Sequence, residues 1–344
     1  MIQTTQNTLY VLAQGAYVHK DHQTVRVECE GETRLRVPLH NLESVALFGR
    51  VMVSPELLHA CAEGGIPLTF LSVSGRLLSR VDAPVSGNVL LRREQYRWAD
   101  RPDRCSGIAR RVVAGKLHNA RNLVLRAARG DAGPEHAHTL KDVARTLAQH
   151  IRALRVCDDI DAIRGHEGMG ARTYFDGFNA MIRQNQDFFA MRGRTRRPPR
   201  DPVNCALSFA YALLRNDCLG AATSAGLDPN VGFLHTDRPG RPSLALDLME
   251  EFRPLLADRL ALTLINRQQL GPKDFDQRDG GVVELTESGR RSIIGGWQER
   301  KRDELVHPLL KERTTVGLLA HVQARLLARH IRGELDEYVP CILR

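Results

Sequence analysis

The stretch TVRVECEGETRLRVPLHNLESVALFG, residues 24–49, decides the first third of the fold. Val25 and Val27 alternate with Arg26 and Glu28, and Leu35, Val37 and Leu39 alternate with Arg36 and Pro38. A period of two sends one set of side chains to a core and the other to water, the pattern of half-buried strands. Working outward, TLYVL precedes this stretch, and SVALFG, IPLTFLS and RLLSRV are further short apolar runs between polar or glycine-containing turns. One helix interrupts them over 54–63, where Ser54 can cap, Pro55 fits the first turn and Gly64-Gly65 ends it. Residues 1–90 are expected to form a small β-sandwich-like domain.

The character changes after Asp82. Pro84, Gly87, the charged residues Arg92, Arg93 and Glu94 and the turn-like WADRPDR mark a junction, and 91–105 reads as a linker. From about Ile108 the period becomes helical. VVAGKLHNARNLVLRAAR, residues 112–129, sets Val112, Leu117, Val124 and Leu125 near one face. Further helices are expected over 140–164, 168–184, 203–219, 243–269 and 312–332. The fold class is α+β, with the β-rich domain followed by a larger all-α C-terminal domain over 106–344.

The chain has 344 residues, 42% hydrophobic and 26% charged, the composition of a globular protein large enough to bury its own core. No apolar run approaches the roughly 20 residues that cross a bilayer, and the N-terminus lacks the pattern of a secretion signal. A cytoplasmic protein with no membrane partner is expected. Seven scattered cysteines without a C-x-x-C pair read as reduced, mostly buried thiols. The net charge of +9 comes almost entirely from arginine, the side chain suited to bidentate phosphate contact. Charge alone is compatible with nucleic acid, an acidic partner or simple solubility. Phosphate-loop, dinucleotide and serine-elbow motifs are missing, so no nucleotide cofactor is expected.

Three segments carry candidate chemistry. In FLHTDRPGRPSLALDLMEEFRP, residues 233–254, His235 ends an apolar run before a turn-rich stretch, and Ser243 looks like a helix cap. On that helix Asp247 and Glu250 are neighbours, off the stripe of Leu244, Leu248, Phe252 and Leu255. A histidine and carboxylates converging in this way suit Mn²⁺ well and Mg²⁺ acceptably. By spacing alone, Asp247, Glu250 and Glu251 read more readily as the solvated face of an ordinary helix. In RGHEGMGARTYFDGF, residues 164–178, Glu167 sits among Gly165, Gly168, Gly170 and Ala171. Each helical glycine costs roughly 1 kcal/mol against alanine. The clustering suits either a carboxylate pressed into a packed site or a helix crossing with Glu167 exposed. His166 points about 100° from Glu167 on a helix and is not expected as a co-ligand. MRGRTRRPPRD, residues 191–201, places Arg192, Arg194, Arg196, Arg197 and Arg200 in one loop. It is either a phosphate-attracting patch or a solvated loop. His321 and His330 read as ordinary helical residues.

Together these segments resemble the CRISPR-associated integrases, the endonuclease-like family of the CRISPR adaptation (spacer acquisition) module. RGHEGMGARTYFDGFNAMI is similar to that family's glutamate helix, and RRPPRDPVNCALSFAYALL to its basic loop and following helix. GFLHTDRPGRPSLALDLMEEFRP resembles its histidine loop and acidic helix, and KLHNARNLVLR its first C-terminal helix. The resemblance covers the whole chain, with a subtype I-C-like flavour. It implies metal ligation by Glu167, His235 and Glu250, the last often aspartate in the family, with Asp247 as a supporting or occasional ligand at the catalytic centre. It implies Mg²⁺ or Mn²⁺, and insertion of short duplex DNA into a repeat array by 3′-hydroxyl attack on a phosphodiester, or hydrolysis when water attacks. It implies double-stranded DNA as partner, a homodimer formed through the N-terminal lobe, and a complex with the small second adaptation protein. Two other readings stay open on the residues: a non-catalytic arginine-rich DNA-binding scaffold, and a hydrolase of a small phosphoester.

Overall fold

In a computed structural model the described residues are 8–82, 88–130, 133–195 and 198–343. The chain divides into two compact units, Met1–Gly87 and Asn88–Arg344.

The first unit carries β1 (Thr8–Val11), β2 (Tyr17–Asp21), β3 (Thr24–Cys29), β4 (Glu32–Pro38), β5 (Ser44–Phe48), β6 (Met52–Val53), α1 (Pro55–Glu63), β7 (Leu68–Leu71) and β8 (Leu77–Val81). Two four-stranded sheets result, ordered β1-β5-β7-β8 and β4-β3-β2-β6. The alternation read from the sequence holds on β3, where Val25 and Val27 are buried between partly exposed neighbours. With Val18, Val45, Leu47 and Leu68 they join one apolar core, onto which Leu57 and Cys61 of α1 pack. Ser54 caps α1 as expected, accepting from the Leu57 amide. β4 departs from expectation: its register is right, with Val37 opposite Val25 and Leu35 opposite Val27, yet Leu35 is 44% exposed. β4 is an edge strand, so the end of its apolar face lies past the cover of the core.

The second unit begins with α2 (Val89–Ala99) and α3 (Pro102–Arg129), so the stretch 91–105 expected as a linker is helical. Trp98 on α2 is buried, and Pro102 opens α3 where its missing N–H costs nothing. α4 (Pro134–Leu154) and α5 (Ile160–Asp176) replace the single helix expected over 140–164. Asp159 accepts from the Ala162 amide and starts a new helix there. α5 ends at Gly177, short of the expected helix to 184. α6 (Pro202–Ser224) is capped by Asp201, and α7 (Ser243–Phe252) follows. A wide π turn over Arg253–Asp258 joins α7 to α8 (Arg259–Asn266). The all-α expectation is corrected by two small antiparallel hairpins: β9 (Phe275–Arg278) with β10 (Val282–Leu285), and β11 (Glu304–Val306) with β12 (Arg313–Thr315). Strands of three and four residues carry too few alternations for a period to register. α9 (Glu287–Arg302) lies between the hairpins, and α10 (Leu319–Ile331) closes the unit. No helix among the described residues is long and apolar enough to cross a membrane. All seven cysteines are free, and Cys61, Cys205, Cys218 and Cys341 are buried.

The 28-residue α3 is the spine of this unit and packs against α4, α5 and α7. Its close approach to α5 explains one glycine of the 164–178 cluster. A Cβ on Gly170 would lie 2.5 Å from Leu117 Cδ2, whereas Gly165 and Gly168 face open space.

Candidate functional site

On α5 the residues Ile163, Glu167, Gly170 and Tyr174 recur at helical spacing, and the first, third and fourth are buried. Glu167 therefore sits on the stripe that faces the unit's interior. α7 is buried on nearly every side, because α3, α6 and α10 all pack on it. Asp247, Glu250 and Glu251 are 1%, 3% and 0% exposed, which overturns the solvated-face reading. Carboxylates at such depth need partners.

The three acids do three different things. Glu251 turns away from the pocket, accepting from Gln323 Nε2 at 3.1 Å, the Cys341 amide at 2.7 Å and the Tyr338 hydroxyl. It ties the C-terminal segment onto α7, and Asn119 adds bonds from α3 to the Glu251 and Cys341 carbonyls. Asp247 organises the histidine loop. Its Oδ2 accepts from the Phe233 and Leu234 amides at 2.6 and 3.0 Å, and its Oδ1 from the His235 amide at 3.0 Å. Oδ1 also meets His235 Nδ1 at 2.7 Å. An ionised carboxylate only accepts, so Nδ1 carries the proton and Nε2 of the neutral ring keeps its lone pair. Ser243, expected as a cap, is the first residue of α7, and its hydroxyl donates to the Thr236 carbonyl.

Glu250 faces the pocket. His235 Nε2 lies 3.8 Å from its Oε1, Arg253 Nε 3.0 Å from the same oxygen, and Lys116 Nζ 2.6 Å from its Oε2. Lys116 also contacts Glu167 Oε1, so one ammonium bridges the two carboxylates. Burial would raise the Glu250 carboxyl, but Arg253 and Lys116 hold it well below the usual range. Lys116 is pushed down by burial and raised overall by Glu250 and Glu167. Among the described residues no three His, Cys, Asp or Glu side chains close on one point. Lys116 instead stands between Glu167 and Glu250, and His235 lines the same pocket on the other side of the Glu250 carboxylate. The donor set fits a hard divalent ion: two carboxylates and one imidazole nitrogen with a free lone pair. Glu250 Oε2 is buried, and the partner it meets there is the Lys116 ammonium.

These groups line a pocket with a cavity volume of about 100 Å³ together with Tyr174, Tyr211, Arg253 and Asp258. The π turn sets Asp258 back toward the pocket, where its oxygens accept from Tyr211 at 2.6 Å and Tyr174 at 2.9 Å. Arg253 lies over the Tyr211 ring at 4.5 Å and Arg194 at 5.3 Å. Sequence reading passed over Lys116, Arg253, Tyr174, Tyr211 and Asp258. The spacing of Arg253 three residues after Glu250 was a usable signal; the others depend on helix crossings. Of the arginine loop, Arg192 and Arg200 are exposed, whereas Arg194 is half-buried against Tyr211, Phe175 and Asn204. Arg196 and Arg197 lie outside the described residues.

Burial pushes the Asp258 carboxyl up to about 6, against both tyrosine hydroxyls and the charges of Arg253 and Arg194. The unfolded carboxyl titrates near 3.8. Between these values the folded chain holds the extra proton, so stability falls as pH rises through that window and levels off above it. The difference amounts to about 3 kcal/mol at neutral pH. Asp258→Asn is expected to remove this slope. In thermal melts from about pH 4 to pH 7, its midpoint relative to the unsubstituted chain climbs by several degrees. A constant offset across that range would contradict the assignment.

The second unit thus holds a buried carboxylate–histidine centre beside arginines, a construction able to take a divalent cation and meet an anionic phosphate. Residues 9–299 match the family profile described as CRISPR associated protein Cas1. The chain is 48% identical over 338 residues to a CRISPR-associated endonuclease Cas1 of Rhodospirillum rubrum, covering 97% of each chain. It is 46% identical over 338 residues to one of Moorella thermoacetica, covering 98% of each. A casposase bound to integration product shares the fold at TM-score 0.83 and 20% identity, over 97% of this chain and 93% of that one. A Cas6-RT-Cas1–Cas2 complex does so at TM-score 0.82 and 24% identity, over 99% of this chain and 36% of that one. The chain belongs to the CRISPR-associated Cas1 family.

Proposed function

We propose that this chain is a metal-dependent DNA endonuclease and integrase of CRISPR adaptation, inserting short duplex DNA into a repeat array. The observation that supports the reading is a single cation, Lys116, held between Glu167 and Glu250 in a pocket that His235 also lines, its Nε2 3.8 Å from Glu250 Oε1. Glu167, His235 and Glu250 are the proposed ligands of Mg²⁺ or Mn²⁺, which when bound supplies charge stabilisation to the phosphate and acidifies the attacking hydroxyl. Asp247 keeps His235 in the tautomer that leaves Nε2 free. A 3′-hydroxyl of the incoming duplex forms a bond to phosphorus as the bond to a target-strand 3′-oxygen breaks. One phosphodiester replaces another, so no nucleotide is consumed. Water in place of the hydroxyl gives hydrolysis.

Arg192, Arg196, Arg197 and Arg200 are proposed to hold the DNA backbone, with Arg194 turned inward to support Tyr211. The Cas1–Cas2 complex and the integration product named for the structural neighbours support the small second adaptation protein and duplex DNA as partners. We assign the N-terminal unit to homodimerisation, which the exposed Leu35 on an edge strand supports. Cytoplasmic location and a subtype I-C-like placement complete the proposal. The test is transfer of a labelled short duplex with a free 3′-hydroxyl into a supercoiled repeat-bearing plasmid, with the partner protein present. Joined product is expected with Mn²⁺ and not with EDTA. Joining in EDTA rejects the metal reading, and no joining with any metal favours a DNA-binding scaffold.

A further inference from the structure

We propose that Lys116 is a built-in counter-ion that competes with the divalent cation for Glu167 and Glu250, keeping the centre's metal affinity low until a DNA phosphate arrives. The inference rests on the ligand assignment above and adds a residue which that assignment does not use. The Lys116 ammonium contacts both carboxylates and is 12% exposed, so little solvent screens the pair.

Charge balance carries the argument. Glu167 and Glu250 bring two negative charges, and Lys116 and Arg253 bring two positive ones. Asp247 is engaged by three amides and the His235 ring. The two carboxylates that the ion would use are therefore already matched by two contacting cations. A divalent ion placed between the same carboxylates adds two positive charges at contact distance from Lys116 and Arg253 in a poorly screened pocket. The repulsion favours the departure of one cation. Arg253 is held by Glu250 Oε1 and by the Tyr211 ring. Lys116 stands at the end of a flexible four-carbon stem, and both its ion-pair contacts are the carboxylates the ion needs. It lines the same pocket, so an ammonium that swings aside stays where a phosphate enters. A phosphodiester returns negative charge to the centre and gives the displaced ammonium a partner. Metal and DNA then bind with positive coupling, and each strengthens the other by the same factor.

The test measures free Mn²⁺ by electron paramagnetic resonance during titration of the full chain, so no catalytic turnover is read. Without DNA, Lys116→Met is expected to bind Mn²⁺ at least about tenfold more tightly than the unsubstituted chain, a screened unit charge at contact distance being worth that much. Lys116→Arg, which keeps the charge, is expected to stay weak. The unsubstituted chain alone is expected to gain about tenfold in Mn²⁺ affinity when a duplex with 3′-deoxy ends is added. That arm needs no variant, so it decides even if Lys116→Met fails to fold. Equal or weaker affinity in folded Lys116→Met, or no gain with duplex, overturns the proposal. Glu250→Gln separates the two failures. If no Mn²⁺ binding depends on Glu250 in any arm, the ligand assignment falls as well. If Glu250-dependent binding is present but indifferent to Lys116 and DNA, only the counter-ion proposal falls.

Discussion

Glu250→Gln is expected to lower strand transfer at least about a thousandfold while duplex binding is retained. The substitution keeps the shape of a side chain that is 3% exposed and removes only its charge. That charge is the one element shared by every part of the centre: Lys116, Arg253 and His235 Nε2 all face it. A neutral amide turns its NH₂ toward a cation on one side or the other, so the site loses a ligand and gains a repulsion. Stability falls by about 1–3 kcal/mol and not further, because each cation keeps a second partner, Glu167 for Lys116 and the Tyr211 ring for Arg253. Gel-resolved strand transfer, fluorescence anisotropy with labelled duplex and a thermal melt separate the three quantities. Activity within tenfold of the unsubstituted chain would remove Glu250 from the centre.

Legibility in the sequence followed the range of the interaction. β3 and α1 were readable because Val25 and Val27 alternate within the strand and Ser54 caps within one turn. The break between α4 and α5 was not, since Asp159 announces a helix start only to a reader who already doubts the continuous helix. Glu167 lay on a readable stripe, four residues after Ile163 and three before Gly170, but surrounding glycines masked it. The α7 acids show the limit most clearly. Glu250 and Glu251 are identical residues at adjacent positions, and the turn of about 100° between them decides everything. One faces Lys116 in the pocket; the other anchors Tyr338 and Cys341. No local pattern distinguishes them, because the difference is made by α3 and by the C-terminal segment, more than 80 residues away in each direction from α7. Assignment of Glu250 in place of Glu251 came from resemblance to a family.

The same long-range logic explains why the arginine loop was only half readable. Five arginines in a Pro-Gly loop look alike in sequence, yet Arg194 lies over Phe175 and Tyr211 while Arg192 and Arg200 are exposed. A guanidinium stacked on aromatic rings buttresses a site, and an exposed one offers itself to a phosphate.

Asp247→Asn is expected to lower strand transfer about a hundredfold and to cost the fold about 2–4 kcal/mol. The carboxylate receives four donors on two oxygens, three amides of residues 233–235 and His235 Nδ1. An asparagine offers one oxygen, and its NH₂ meets donors that it cannot satisfy. The crowding leaves no room to adjust: a Cβ built on Gly232 would lie 2.9 Å from Asp247 Oδ2. With its anchor lost, the loop carrying His235 loosens, and the ring is no longer held with Nε2 toward Glu250. The deficit should therefore act through metal binding, with about tenfold or more Mn²⁺ needed for half-maximal transfer and partial recovery at high Mn²⁺. A second role for Asp247, as a direct ligand, predicts the opposite pairing. Removing a ligand from a carboxylate-rich centre leaves stability unchanged or raised, and added Mn²⁺ does not restore transfer. Melting temperature and Mn²⁺ dependence measured on one variant thus tell whether this carboxylate holds the loop or the metal.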